Sequence, residues 1–193
     1  MRLPVLFPPP AACVAPQATH GRRSGTALPS GSMASMRAPT PATTLSPETP
    51  DQPEVIALIA ELDAYQDSLY PPESRHALDL ASLKQPNVLF HVARDETGRA
   101  VGCGAVVLQA HQGEIKRMYV RPDCRGQGIA RRLLQALEGA AAAAGCRQLL
   151  LESGPFQPEA LGLYAALGYE RRGPYFDYAD DPLSVFMEKA LAA

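Results

Sequence analysis

Arg125-Gly126-Gln127-Gly128-Ile129-Ala130 is the stretch of this 193-residue chain best suited to chemistry. It follows an apolar, β-branched run that ends at Pro122 and precedes a strongly periodic helical pattern, so it reads as strand, loop and helix start. The first amides of a helix lack intrahelical partners and carry partial positive charge, which suits them to phosphate. Glycines at 126 and 128 let the backbone approach an oxygen closely, and Arg125 adds a fixed charge. Arg131 and Arg132 fall in the first helical turn, where a positive side chain opposes the helix dipole; that placement makes sense if they face an anion. A plain strand–loop–helix connection would use the same glycines for geometry alone, so the loop by itself leaves the two readings about even. Two rival phosphate motifs do not fit. A Walker loop ends in Gly-Lys-Ser/Thr, and a dinucleotide fingerprint needs a third glycine where Arg131 stands. Gly102-x-Gly104 leads into more strand and reads as close packing.

Other reactive side chains give less. Cys13, Cys103, Cys124 and Cys146 have no C-x-x-C spacing and are expected as free thiols. Cys124 lies beside the phosphate loop but nothing in the sequence pairs with it. His20, His76, His91 and His111 are scattered, so no metal is expected; His91, in an alternating run, reads as a sheet histidine. Ser153 lacks the G-x-S-x-G elbow of a serine hydrolase.

A net charge of −2 with 46% hydrophobic residues describes a chain with a real core and no general affinity for nucleic acid or anionic membrane. No apolar run approaches the roughly 18 residues of a membrane-spanning helix. The averages hide an asymmetry. Eleven of the 19 prolines lie at or before Pro53, and no acidic residue precedes Glu48. Residues 1–41 therefore read as a disordered, Pro-rich, basic extension, and 42–193 as the folded domain. Leu3–Phe7 is too short and proline-broken for a secretory signal, and no apolar segment follows Arg22-Arg23. A transit peptide fits loosely. A start codon placed too far upstream, with Met33 or Met36 as the first residue, fits better, and the expected location is cytoplasmic.

The elements that must hold the loop follow from periodicity. A helix is expected over Val55–Tyr70, stopped by Pro71-Pro72, and a weaker one over Arg75–Leu83. Val88–Arg94, Ala100–Gln109 and Glu114–Arg121 read as an antiparallel meander turned at Gly98 and Gly113. A helix runs from Ile129 to a C-cap at Gly145. Gln148–Glu152 is the next strand, Pro158–Leu167 a helix, and Tyr169–Arg172 and Ser184–Lys189 the closing strands, with a weak first strand within Thr43–Pro47. This order describes an α/β (mixed α+β) fold with helices on both faces of a mixed sheet.

Here the chain resembles the GNAT superfamily of N-acyltransferases. Arg125-x-x-Gly128-x-Ala130 is similar to that family's acyl-CoA pyrophosphate signature. Glu159-Ala-Leu-Gly-Leu-Tyr164-Ala-Ala-Leu-Gly168-Tyr169 is similar to its second motif, a helix carrying Leu-Tyr and ending in Leu-Gly-Tyr/Phe. The resemblance runs from about Thr43 to the C-terminus and implies a mostly antiparallel central sheet splayed between its fourth and fifth strands.

It further implies acetyl-CoA as co-substrate, without metal, and direct transfer to a primary amine of a small molecule or peptide in a ternary complex. Backbone groups of Met118, Tyr119 and Val120 would pair with the pantetheine arm as an added strand. Amides of Arg125, Gly126, Gln127, Gly128, Ile129, Ala130 and Arg131 would hold the pyrophosphate. Tyr164 would protonate the departing thiolate. Glu114 would be the general base; a solvent-facing strand-end carboxylate is the plain alternative, and Glu152 or bulk solvent could deprotonate the amine instead. Gln157 stands where many members carry an Asn that contacts the cofactor, which puts that contact in doubt. The acceptor would be received by Tyr65–His76 and Tyr175–Tyr178, whose aromatics and carboxylates could equally be packing and surface. Neither nucleic acid nor membrane is expected as a partner, a homodimer stays open, and a non-catalytic acyl-CoA-binding module on the same fold is the alternative function.

Overall fold

A computed structural model describes residues 42–191. The expected extension over 1–41 and its boundary, together with Cys13, Met33 and Met36, lie outside the described residues. The elements are β1 (Thr44–Pro47), α1 (Pro53–Asp67), a 3-10 turn (Pro72–Ser74), α2 (Leu80–Leu83), β2 (Val88–Arg94), β3 (Ala100–Gln109) and β4 (Gln112–Val120). A second 3-10 turn (Pro122–Cys124), α3 (Ile129–Ala143), β5 (Gln148–Ser153), α4 (Pro158–Ala166), β6 (Glu170–Arg172) and β7 (Val185–Ala190) complete the chain. The strands form one sheet in the order β1-β2-β3-β4-β5-β7-β6. Every pairing is antiparallel except β4 with β5.

Alternation along the strands sorts the core onto the two sheet faces. On one face Val55, Leu58 and Leu62 of α1 and Leu83 of α2 pack on Phe90, Val92, Cys103 and Tyr119. On the other, Leu134, Leu137 and Ala141 of α3 and Tyr164 of α4 pack on Val106, Ile115, Leu149 and Leu151. Gly102 and Gly104 are the close-packing points expected of them: a Cβ on Gly104 would meet Leu137 Cδ1 at 2.9 Å, and one on Gly102 would meet the Tyr119 carbonyl at 2.9 Å. Among the described residues no helix is long and apolar enough to cross a membrane.

The feature that matters for the site is a splay. β4 and β5 pair only from Gln112/Gln148 to Ile115/Leu151. β4 then continues to Val120 with no strand on that side among the described residues. Its direction changes at a bulge: Cys103 faces Tyr119 while Ala105 faces Lys116, so Arg117 and Met118 together oppose Gly104. Arg117 adopts φ 58°, a left-handed conformation that an arginine takes only when its surroundings enforce it. Here its buried guanidinium donates from Nε to the Leu78 carbonyl at 3.0 Å and pairs with Asp63.

The same contact explains a correction. The helix expected over Arg75–Leu83 is only the single turn Leu80–Leu83, capped by Asp79, whose carboxylate accepts from Ser82 N at 2.7 Å. Upstream, Arg75 is extended, at φ −112° and ψ 122°. Lys116 Nζ approaches the His76 carbonyl at 3.4 Å and Arg117 takes that of Leu78. Carbonyls that a helix would have used internally are used by β4 instead. α1 also ends earlier than expected, at Asp67.

The entry to α1 is held by one carboxylate. Glu48 accepts from Arg94 Nε and Nη2 at 3.0 and 2.8 Å, from Gln52 Nε2 at 2.8 Å and from the Ser46 hydroxyl at 2.9 Å. The Arg94 guanidinium, first of these, outweighs burial and lowers the Glu48 pKa from 4.5 to about 2. A lowered folded-state pKa means stability that is complete above pH 4.5 and is lost as pH falls through about 2. Glu48→Gln is expected to lower the unfolding free energy at neutral pH by about 1–3 kcal/mol. Urea unfolding curves of variant and parent should converge as the pH is brought down through that window.

Candidate active site

The glycine loop Arg125–Gly128 lies between β4 and α3, where the spacing put it. Gly126 and Gly128 both take φ 75°, and Gly128 is the N-terminal cap of α3 with no side-chain contribution. A left-handed cap without a side chain leaves the helix start open. Among the described residues no hydrogen-bond acceptor meets the amides of Gly126, Gln127 or Gly128. Gly126 and Gly128 border a groove of about 550 Å³ between the free edge of β4 and α4. Met118, Tyr119, Val120, Arg125, Gly126, Gly128, Ile129, Ala130 and Arg131 all line it, as does Tyr164.

Three expected contributors behave differently. Gln127 is half-buried and off the groove wall. Arg132 turns away, its Nη2 donating to the Thr43 carbonyl, so of the two first-turn arginines only Arg131 lines the groove. Arg125 lies with its guanidinium over the rings of Tyr65 and Tyr119, 5.6 and 6.0 Å from their centroids, and its Nε donates to the Val120 carbonyl at 3.1 Å.

A second, smaller cavity of about 80 Å³ lies on the other side of Tyr164. Its walls come from the extended segment after α1 (Tyr70, Arg75, His76), from the β4 bulge (Lys116, Arg117) and from the end of β5 (Glu152). Met118, Gln157, Ala160, Leu62 and Tyr164 line both spaces. The splay therefore opens a passage whose two halves meet at Tyr164. Burial, with the Glu152 charge, raises the Tyr164 phenol pKa well above its usual value and keeps it protonated. Glu152 is itself raised, chiefly by desolvation, against the lowering effects of the Ser184 hydroxyl (2.8 Å to Oε1), Lys116 and His76.

Glu114 and Glu152 share a sheet face, because Glu114 pairs with Leu150 and Glu152 is two residues further on. Their surroundings differ. Glu114 is buried behind the small cavity, with Oε1 accepting from Tyr175 Oη at 2.8 Å and Tyr178 Oη at 2.6 Å and paired to Lys116 Nζ at 2.8 Å. It faces neither cavity, and it is not the solvent-facing carboxylate of the plain alternative. Tyr175 and Tyr178, expected at the acceptor, instead pack with Leu150 and Phe186. Of the other acceptor candidates, Tyr70 and His76 line the small cavity and Tyr65 lines the groove. Lys116 was not singled out from the sequence, and Arg75 only as part of the segment Tyr65–His76, since nothing in their spacing ties them to Glu152. No group of three or more His, Cys, Asp or Glu side chains among the described residues is placed to hold a metal ion.

This geometry can be set beside known proteins. The acetyltransferase (GNAT) family model matches residues 56–169. The IAA acetyltransferase of Azospirillum brasilense is 48% identical over 153 residues, covering 78% of this chain and 99% of that protein. A solved chain assigned as an acyl-CoA N-acyltransferase from Klebsiella pneumoniae superposes with a TM-score of 0.67 at 41% identity, covering 78% of this chain and 98% of that one. The paia N-acetyltransferase of Thermoplasma acidophilum, solved with coenzyme A, shares the fold with a TM-score of 0.61 at 16% identity, over 77% of this chain and 99% of that one. With a family match spanning most of the folded residues and relatives aligned over almost their whole length, this chain belongs to the GNAT acetyltransferase family.

Proposed function

We propose that the protein transfers an acetyl group from acetyl-CoA to a primary amine of a small molecule or peptide by direct attack, with Tyr164 as general acid and Glu152 as general base. The observation that carries this reading is the shared wall: Tyr164 and Met118 border both the groove and the small cavity. A donor on one side and an acceptor on the other would meet there without a covalent enzyme intermediate. The open amides from Gly126 to Arg131 are suited to a pyrophosphate, and the unpaired edge of β4 at Met118–Val120 to a pantetheine arm laid along it. A bound thioester would supply an electrophilic carbonyl and a thiol leaving group.

The side chains do the rest. An alkyl ammonium, with a pKa of about 10, must lose a proton before its nitrogen can attack. Glu152, its pKa raised chiefly by burial, lines the small cavity, where its carboxylate form would take that proton. A thiolate with an intrinsic pKa of about 8.5 leaves more readily once protonated, and Tyr164 carries that proton at the junction. Glu114 and Lys116 stand behind Glu152 as a buried ion pair that sets its electrostatic background.

Calorimetry with acetyl-CoA and thiol release over an amine panel test this together. Acetyl-CoA should bind the parent, and Gly128→Val should weaken it by roughly tenfold or more, because a β-branched side chain at φ 75° distorts the open helix start. Binding by the parent with no amine turned over would select the non-catalytic module instead. Absence of binding to folded protein would overturn both.

A further inference from the structure

We infer that Tyr70 is a positioning residue: its ring and hydroxyl clamp the turn between β5 and α4, and through α4 they set where Tyr164 stands relative to Glu152. This rests on the acyl-transfer reading above and adds to it the contact that holds the general acid in place.

α4 is lightly fastened for a helix that carries a catalytic group. It has nine residues, begins at Gln157 without a side-chain cap, and has Tyr164 as its one buried residue. A helix that short gains little from its own hydrogen bonds, so its place is set by what grips it from outside. The turn leading into it starts directly after Glu152 and runs from Ser153 to Phe156. Gln157 N closes that turn on the Gly154 carbonyl at 3.2 Å. The Phe156 amide donates out of the turn, to Tyr70 Oη at 2.9 Å, and the Phe156 ring stacks on the Tyr70 ring with centroids 5.6 Å apart and planes 20° apart. Gly154 lies against the same side chain: a Cβ there would collide with the Tyr70 hydroxyl and ring, so only a glycine lets the tyrosine come this close.

Tyr70 is itself well held. Its amide donates to the Gln66 carbonyl at 2.9 Å, off the end of α1, and α1 is fixed to the sheet by buried Val55, Leu58 and Leu62. The Tyr70 side chain is buried but stands outside the two apolar clusters that α1 and α4 join on the sheet faces. What it grips is the turn, and it lines the small cavity together with Glu152 and Tyr164. The sheet holds Glu152 directly, by pairing with Phe186, whereas Tyr164 reaches its place through α4. Misplacing a reacting group by about 1 Å costs on the order of 10²-fold in rate, so a contact that fixes the start of α4 bears on the chemistry.

The test uses the full-length protein, saturating acetyl-CoA and the amine of the panel above that the parent acetylates fastest. Tyr70→Phe keeps the ring over Gly154 and removes the acceptor of the Phe156 amide; it should lower kcat roughly tenfold. In a Tyr164→Phe background the same change should cost less than about twofold, because misplacing the acid costs nothing once the acid is gone. A general loss of structure would lower both backgrounds alike. Gly154→Ala, which drives the clamp apart from the other side, should repeat the pattern. Equal losses in the two backgrounds, or no loss from Tyr70→Phe in the parent, would overturn this inference and leave the acyl-transfer reading standing. A Tyr164→Phe enzyme as fast as the parent, or a parent that turns over no amine, would overturn that reading and this inference with it. Hydrogen exchange of the Phe156 amide in the parent decides the matter even if the variants misfold. The clamp requires exchange slowed roughly tenfold or more relative to unstructured chain, and exchange at the unstructured rate would overturn it.

Discussion

Tyr164→Phe is expected to lower kcat by about 10² to 10³, within the usual range for loss of a positioned proton donor, with little change in acetyl-CoA affinity. The substitution removes one oxygen and keeps the ring. The ring packs edge-on to Tyr169, with centroids 5.7 Å apart, and belongs to the core beneath α3, so the phenylalanine variant retains the packing. What it loses is the phenolic proton where the two cavities meet. Burial makes that phenol a weaker acid than in water, which looks unhelpful until the leaving group is considered in the same place. A thiolate formed in that desolvated junction is costly for the same reason, so the proton affinities of donor and acceptor rise together. The loss should therefore appear in kcat and kcat/KM alike, the pattern of an interaction made only in the transition state. Rapid-quench single-turnover rates at saturating acetyl-CoA, with calorimetry on the same protein, separate the two quantities. A variant within about threefold of the parent rate would remove Tyr164 from the chemistry.

The groove was legible because its parts are close in sequence. A strand, two glycines at i and i+2 and a periodic helix fix an open helix start whatever lies around them, and Gly126 and Gly128 do take left-handed φ. The element order was legible too, since β2 to β5 and α3 carry clean periods of 2 and 3.6. The small cavity was not. Its walls come from Arg75, Lys116 and Glu152, which lie tens of residues apart and are brought together only by the splay and the bulge. The bulge leaves no trace in the sequence, because its left-handed residue is an arginine and not a glycine. The segment from Arg75 to Asp79 misled for a related reason: its helical pattern is weak, and the guanidinium that draws out the Leu78 carbonyl is on another strand.

The two carboxylates illustrate the same limit. Glu114 and Glu152 have the same strand parity, so alternation places both on one face and says nothing of what covers them. The loop between β6 and β7 decides that. It lays Tyr175 and Tyr178 over Glu114, and both hydroxyls donate to it, while Ser184 at its end touches Glu152 with one bond and leaves the rest of that carboxylate toward the cavity.

Glu152→Gln should accordingly give the second large effect, a fall of about 10³ in kcat/KM at pH 7, with a change in the shape of the pH profile that a merely structural role would not produce. The sign follows from the environment. Desolvation raises the Glu152 pKa above its ordinary 4.5, against Ser184, Lys116 and His76 and assisted by Glu114. The base works when ionised, so parent activity should rise as pH increases through that raised value and then level off. Without the carboxylate only the fraction of acceptor already deprotonated in solution can react. The rate of the glutamine variant should therefore climb about tenfold per pH unit until it nears the acceptor ammonium pKa, about 10 for an alkyl amine, and approach the parent there. Glu114→Gln serves as the contrast: it should shift the parent's acidic limb to lower pH, since it removes a negative charge that raises Glu152, without abolishing the plateau. A Glu152→Gln profile parallel to the parent across the whole range would return the base to solvent.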